Sequence, residues 1–176
     1  MTNIYFVSHL DDKAYVSAVG LGNLIMNSTV ISVLYSLNAV IETLVSQAVG
    51  TGNYEICGIY LNRAIVVNVT AFSLLSVVFC NSQAILVNLG QSEKISILTE
   101  QYLIFYIPGI FLYGLCDLYR RYLNCFKKNT LPMVSFAVSV ALHPLWINYF
   151  MNKKTMGFLG ITAAGFVTNL TNFVLI

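Results

Sequence analysis

"AYVSAVGLGNLIMNSTVISVLYSLNAVI", Ala14–Ile41, runs without one charged side chain. A helix needs about 20 apolar residues to cross the hydrocarbon core of a bilayer, so this stretch is long enough by itself. Its apolar residues are continuous rather than alternating with period two, which predicts a helix and not a barrel strand. Uncharged runs recur at Ala64–Ser92, Gln101–Cys116, Asn129–Asn152 and Thr155–Ile176. The run Gln101–Cys116 reaches spanning length only if Asp117 sits at the interface with its carboxylate in water. The expected spans lie near 16–44, 64–88, 100–120, 131–151 and 157–176. The first is long, so its last turns are expected to project from the bilayer.

Composition supports the same reading. The chain is 57% hydrophobic and 9% charged, with a net charge of +2. A soluble domain carries about 25% charged residues, and this chain has too few to build a polar skin. The expectation is an all-α, multi-pass protein of the plasma membrane or an endomembrane, a single transmembrane domain over residues 1–176 with the lipid bilayer as its main partner. No basic run with interleaved aromatics suggests nucleic acid.

Short linkers separate the spans: "SHLDDK", "TGNYEICGIYLNR", "LGQSEK", "RRYLNCFKKN" and "NKKTMG". Basic residues set orientation. The second and fourth linkers carry Arg63, Arg120, Arg121, Lys127 and Lys128, against Lys13, Lys94, Lys153 and Lys154 on the other side. The cluster "RRYLNCFKK" places the former side in the cytoplasm. The opening "MTNIYFVSHLDDK" is too short to span and is no signal peptide. It reads as the outer end of a preceding helix, and the chain stops inside an apolar run. Both ends suggest part of a longer protein.

Nothing in the sequence suggests an enzyme, a metal site or a cofactor. Cys57, Cys80, Cys116 and Cys125 lack metal-like spacing, and the two histidines have no HExxH context. The glycosylation patterns at Asn27, Asn68 and Asn169 fall inside spans and are rejected. What remains is polarity at depth: Asn27, Asn38, Asn68, His143, Asn148, Thr168, Asn169 and Asn172. Most such groups join helices to one another, whereas an ionisable group at depth is more often functional. His143 is read as the clear ionisable case. It precedes Pro144, which frees a carbonyl near Val140 and can kink the helix. Such a kink, with Asn148 nearby, would open a polar pocket between helices. Pro108 is a second kink candidate. The small residues of "SAVGLG" and "GFLGITAAG" predict close helix approach.

One phrase, "VIETLVSQAVG" (Val40–Gly50), puts Glu42 and Gln47 where the first span leaves the membrane. One reading is a helix end in the interface, with Thr43 and Gln47 bonding loop backbone. The other is an inner gate, in which Glu42 pairs with a basic residue such as Arg63 in one state only.

Taken in order, these segments resemble the MATE (multidrug and toxic compound extrusion) family. The phrase Ile41-Glu42-Thr43-Leu44-Val45-Ser46-Gln47-Ala48-Val49-Gly50 is similar to the family's second-helix ending, and "GTGNYEICGIYLNRA" to its continuation. "YLIFYIPGIFLYGLCDLYRRYLNCFKKNTLPMV" resembles the fourth helix, its basic turn and the start of the fifth. "ALHPLWINYF" and "LGITAAGFVTNLTN" resemble the fifth and sixth. Around His9-Leu10, Ser8 and Asp11 stand where members usually carry glycine.

The resemblance implies a protein of two six-helix lobes, with this chain forming most of the N-terminal lobe. It implies a secondary active antiporter that exports small organic cations and xenobiotics against H+ or Na+. It places Asn27, His143, Asn148 and Thr168 at the transport cavity. It also puts the carboxylates best suited to ion coupling outside residues 1–176, so the missing C-terminal lobe becomes a required partner and the chain alone is not expected to transport. A non-transporting multi-helix membrane protein or truncated gene product, and a flippase of lipid-linked substrates, stay open as alternatives.

Overall fold

The computed structural model describes residues 13–150 and 159–176 and is helical nearly throughout. The elements are α1 (Lys13–Met26), a π-helical turn (Asn27–Ile31), α2 (Ser32–Gly50), α3 (Tyr54–Cys80), α4 (Ser82–Asn88), α5 (Glu93–Cys125), α6 (Thr130–Asn148) and α7 (Gly160–Leu175). Among the described residues four helices are long and apolar enough to cross a membrane: Ala14–Gly50, Tyr54–Cys80, Glu93–Cys125 and Thr130–Asn148. Gly160–Leu175 is a shorter apolar helix. The expected end of a preceding helix, most of the first linker and the whole of the last linker lie outside the described residues.

The helices outrun the uncharged runs. α3 begins at Tyr54, and α5 extends through Arg120 and Arg121 to Cys125. The second and fourth linkers are therefore largely helical: charge measures the hydrocarbon thickness, whereas a helix continues until its backbone is capped. The stretch 64–88 divides instead at Asn81 into α3 and α4. There the Asn81 side chain donates to the Val77 carbonyl and Ser82 Oγ to that of Phe79, at 2.8 Å each.

Three turns are built alike. After α2, Asn53 N donates to Ala48 O and Gly52 N to Val49 O. After α4 the donors are Gln91 and Gly90, and after α5 they are Lys128 and Lys127. This is the Schellman arrangement, which needs a left-handed residue just past the helix. Gly52 (φ 73°) and Gly90 (φ 87°) supply it, but the third position holds Lys127 (φ 59°).

The π turn falls in "NSTVI". Ser32 gives both its N–H and its Oγ–H to the Asn27 carbonyl, while Ser28 Oγ and Thr29 Oγ1 donate to the Leu24 and Ile25 carbonyls. A cluster of hydroxyls competing for helix carbonyls is the local setting for such a wide turn.

α5 is the hub, packing against α1, α2, α3, α4 and α7, whereas α6 packs chiefly against α7. Two apolar clusters form around it. One gathers Val19, Val30, Leu34, Phe79, Tyr102 and Ile110; the other gathers Ile41, Val45, Cys57 and Leu118. The outer faces carry exposed Leu74, Val66, Met133, Leu145 and Val174, the surface expected to meet lipid. Small residues set the approaches. A methyl group at Gly165 would lie 2.5 Å from the Tyr106 ring, and one at Gly109 would lie 3.3 Å from the Phe166 Cα. Gly20, by contrast, faces open space.

Candidate functional site

Between the two apolar clusters lies a charged one. Asp117, on α5, is only 4% exposed. Arg120 and Arg121, one turn further along the same helix, both donate to it, Arg121 through Nε at 2.9 Å. Asn38 of α2 donates from Nδ2 to Asp117 Oδ2 at 3.0 Å and to the Gly114 carbonyl at 3.2 Å. Arg121 also reaches α2, donating from Nη1 to Glu42 Oε2 at 2.8 Å. Its guanidinium carbon lies 5.7 Å from the centre of the Tyr35 ring. Two carboxylates and two guanidinium groups thus neutralise one another and tie α2 to α5. An unpaired charge at this depth would cost several kcal/mol; pairing and the hydrogen bonds to Asp117 offset it, although Asn38 Oδ1 itself meets no donor.

This corrects one expectation and gives Glu42 a partner in this state. Asp117 is buried against its neighbours rather than placed in water at the interface. Glu42 pairs with Arg121 and not with Arg63, which is exposed on α3. The physical reason is spacing: Arg120 and Arg121 stand at i+3 and i+4 from Asp117 and so share its helix face. That spacing is the signal in "DLYRR" that a count of uncharged residues passes over.

Next to this network α2, α5, α6 and α7 border a half-open cavity of about 410 Å³, lined by Tyr35, Tyr113, Asp117, Arg120, Phe136 and Asn172 among others. The Tyr35 and Tyr113 hydroxyls hydrogen-bond to each other across α2 and α5. Tyr113, Phe136 and Asn172 also border a second cavity of about 150 Å³, which His143, Thr168 and Tyr106 complete. Tyr113 borders a third, also about 150 Å³, beside Met26, Ile31 and Asn169.

His143 and Thr168, singled out from the sequence, do come together: Nδ1 and Oγ1 are 2.8 Å apart. Thr168 gives its hydroxyl proton to the Ala164 carbonyl at 2.8 Å, so Nδ1 of His143 is the donor between them. Asn169 bridges α7 to α5, donating to the Gly109 carbonyl at 2.9 Å, one residue past Pro108. Both Pro108 and Pro144 lie inside their helices. Asn172 is 8% exposed, borders the first two cavities, and its Oδ1 accepts no hydrogen bond.

The other predicted residues stand apart. Asn27 is exposed on the π turn and donates to the Asn23 carbonyl of its own helix at 2.7 Å. Asn148 is exposed at the end of α6. Gln47 is exposed and serves through its backbone carbonyl, which accepts from Thr51; Thr43 bonds back to Ala39 rather than to the loop. Asp117, Arg120, Tyr113 and Asn172 complete the site without having been singled out as its members.

The chain is similar to known proteins over most of its length. The family model MatE matches residues 1–150. Protein DETOXIFICATION 16 of Arabidopsis thaliana is 33% identical over 99% of this chain, which covers 36% of that protein. Protein DETOXIFICATION 48 of the same plant is 36% identical over 85% of this chain and 28% of its own length. The crystal structure of the eukaryotic MATE transporter AtDTX14 superposes with a TM-score of 0.91 at 25% identity, covering 99% of this chain and 39% of that one. The chain thus spans about a third of the length of the curated relatives it matches.

Proposed function

Because the chain belongs to the MatE family of multi-pass membrane transporters, we propose that it forms most of one lobe of a secondary active antiporter, which exports amphiphilic organic cations and xenobiotics against protons or sodium ions. One observation carries the reading furthest. The cavities are walled mainly by aromatic, apolar and neutral polar groups, and the charged groups that border the larger one, Asp117 and Arg120, are paired with each other. A flat organic cation sheds water at low cost onto ring faces, which attract it electrostatically. A compact, strongly hydrated ion finds no net charge there to offset its desolvation.

In this reading the two lobes rock about a central site, and the coupling ion binds one orientation better than the other. The Asp117–Arg121–Glu42 network fastens α2 to α5 at the basic end. Glu42 is the member that can leave without stranding a buried carboxylate, since its side chain is 44% exposed. It is therefore the natural moving part of an inner gate.

The test is reconstitution of the full-length protein in liposomes with an imposed proton or sodium gradient and a fluorescent aromatic cation inside. Gradient-dependent efflux is expected. Equal efflux with and without either gradient, in liposomes shown to be sealed, sinks the antiport reading.

A further inference from the structure

Asn172 presents an unexplained group. It sits on α7 with its side chain more than nine-tenths buried, yet its Oδ1 meets no donor. A buried acceptor left unpaired costs about 1–3 kcal/mol, so such atoms in native proteins generally await a partner. This one borders both the 410 Å³ cavity and the smaller cavity of His143. Asn124 and Asn129, which also border the larger cavity, are not buried, and the buried or half-buried polar groups closest in kind are engaged. Tyr113 bonds to Tyr35, Thr168 to Ala164 and His143, and Asp117 accepts from Arg120, Arg121 and Asn38. Among the residues that the two cavities share, an arriving cation meets two ring faces, Tyr113 and Phe136, and the buried vacant acceptor of Asn172.

We propose that Asn172 selects among cations: its side-chain oxygen accepts a hydrogen bond from solutes bearing an N–H, favouring protonated amines over quaternary ammonium ions of similar size. Both kinds gain from the rings. Only the N–H-bearing ion also satisfies the acceptor, whereas a quaternary ion of similar shape keeps it buried and unpaired. A site holding a polar group discriminates most strongly against ligands that leave that group unmet. This rests on the transport reading for its physiological meaning but not for its test.

The test is equilibrium binding to the purified full-length protein in detergent, without any gradient, near neutral pH. The two probes are N,N-dimethyl-2-phenylethylammonium, which carries one N–H, and its trimethyl analogue, which carries none. The native protein should prefer the dimethyl ion about tenfold, the equivalent of one charge-assisted hydrogen bond. Asn172→Leu should bring that ratio to about one while retaining the quaternary ion. Asn172→Ser, smaller and still an acceptor, serves if the leucine variant does not fold, and should keep part of the preference. Equal binding of both probes by the native protein, an unchanged ratio in Asn172→Leu, or no binding of either probe overturns the proposal. Selective binding with no efflux from liposomes would leave it standing and remove the antiport reading alone.

Discussion

Asp117 and Glu42 both accept from Arg121, yet losing them should cost unequal amounts. Asp117 is buried and is shared by two guanidinium groups and an amide. Asp117→Asn removes the only carboxylate in contact with Arg120 among the described residues and one of the two holding Arg121. Removing one partner of a buried pair costs about 3–5 kcal/mol; here the half-exposed Arg120 can turn to water, which sets the expectation at the lower bound. Thermal unfolding of the full-length protein in detergent should show the loss. Glu42→Gln should cost no more than about 1 kcal/mol, because Glu42 is nearly half exposed and Arg121 keeps its bond to Asp117. The same substitution should nonetheless alter efflux if Glu42 is the moving part of a gate. Unchanged efflux kinetics would return Glu42 to the role of an interfacial helix end. The sequence showed Glu42 plainly, as a carboxylate ending an uncharged run. It did not show the direction of Asp117, because position along a helix gives depth, whereas a rotation of one residue decides between water and a neighbour. The orphan oxygen of Asn172 was likewise invisible, since an amide announces itself in a sequence but its unmet atom exists only once every neighbour is placed.

At the scale of elements, the helices were legible and their ends were not. Uncharged runs located all the long helices because the bilayer imposes a minimum length. Their termini answer to capping, which is a matter of a few residues. Two Schellman turns use glycine where sequence habit expects it, and the third uses Lys127 at φ 59°. A left-handed residue with a Cβ costs about 1–2 kcal/mol, and the added freedom of glycine in the unfolded chain takes back about 0.5–1 kcal/mol. Lys127→Gly should therefore stabilise the protein, by about 0.5–1 kcal/mol, read as a rise in unfolding temperature. A fall would mean that the Lys127 side chain has a stabilising role outweighing its backbone strain. The π turn at Asn27–Ile31 could not be foreseen from hydropathy, because widening a helix by one residue leaves the apolar content of the span untouched.

At the scale of the whole molecule, an antiparallel succession of helices assigns each turn to a side. The turns at Gly52 and Lys128 should share one side of the membrane and the turn at Gln91 the other. Single cysteines at these three positions, in a background without native cysteines, should react with an impermeant reagent accordingly. The first two should be protected in intact right-side-out cells and the third should be labelled, since the basic turns are expected in the cytoplasm. The opposite pattern would reverse the orientation, and labelling of all three from one side would refute the assignment of spans. This level was the most legible of the three, because the ordered resemblance of the segments and the lipid-facing composition both act over the full length.

The hub helix is also late. α1 contacts little besides its own continuation and α5, so in a growing chain this part of the first long helix waits until α3 and α4 have been made before its lasting neighbour follows, whereas α2 meets α3 at once. Lateral association in the membrane must then wait on synthesis as well as on diffusion. Asp117 enters the bilayer with both of its cations on the same helix, escorted from the outset. Glu42 arrives earlier and alone. Its place near the end of α2, within reach of headgroups and water, lets a carboxylate linger there until the arginine that will hold it has been made.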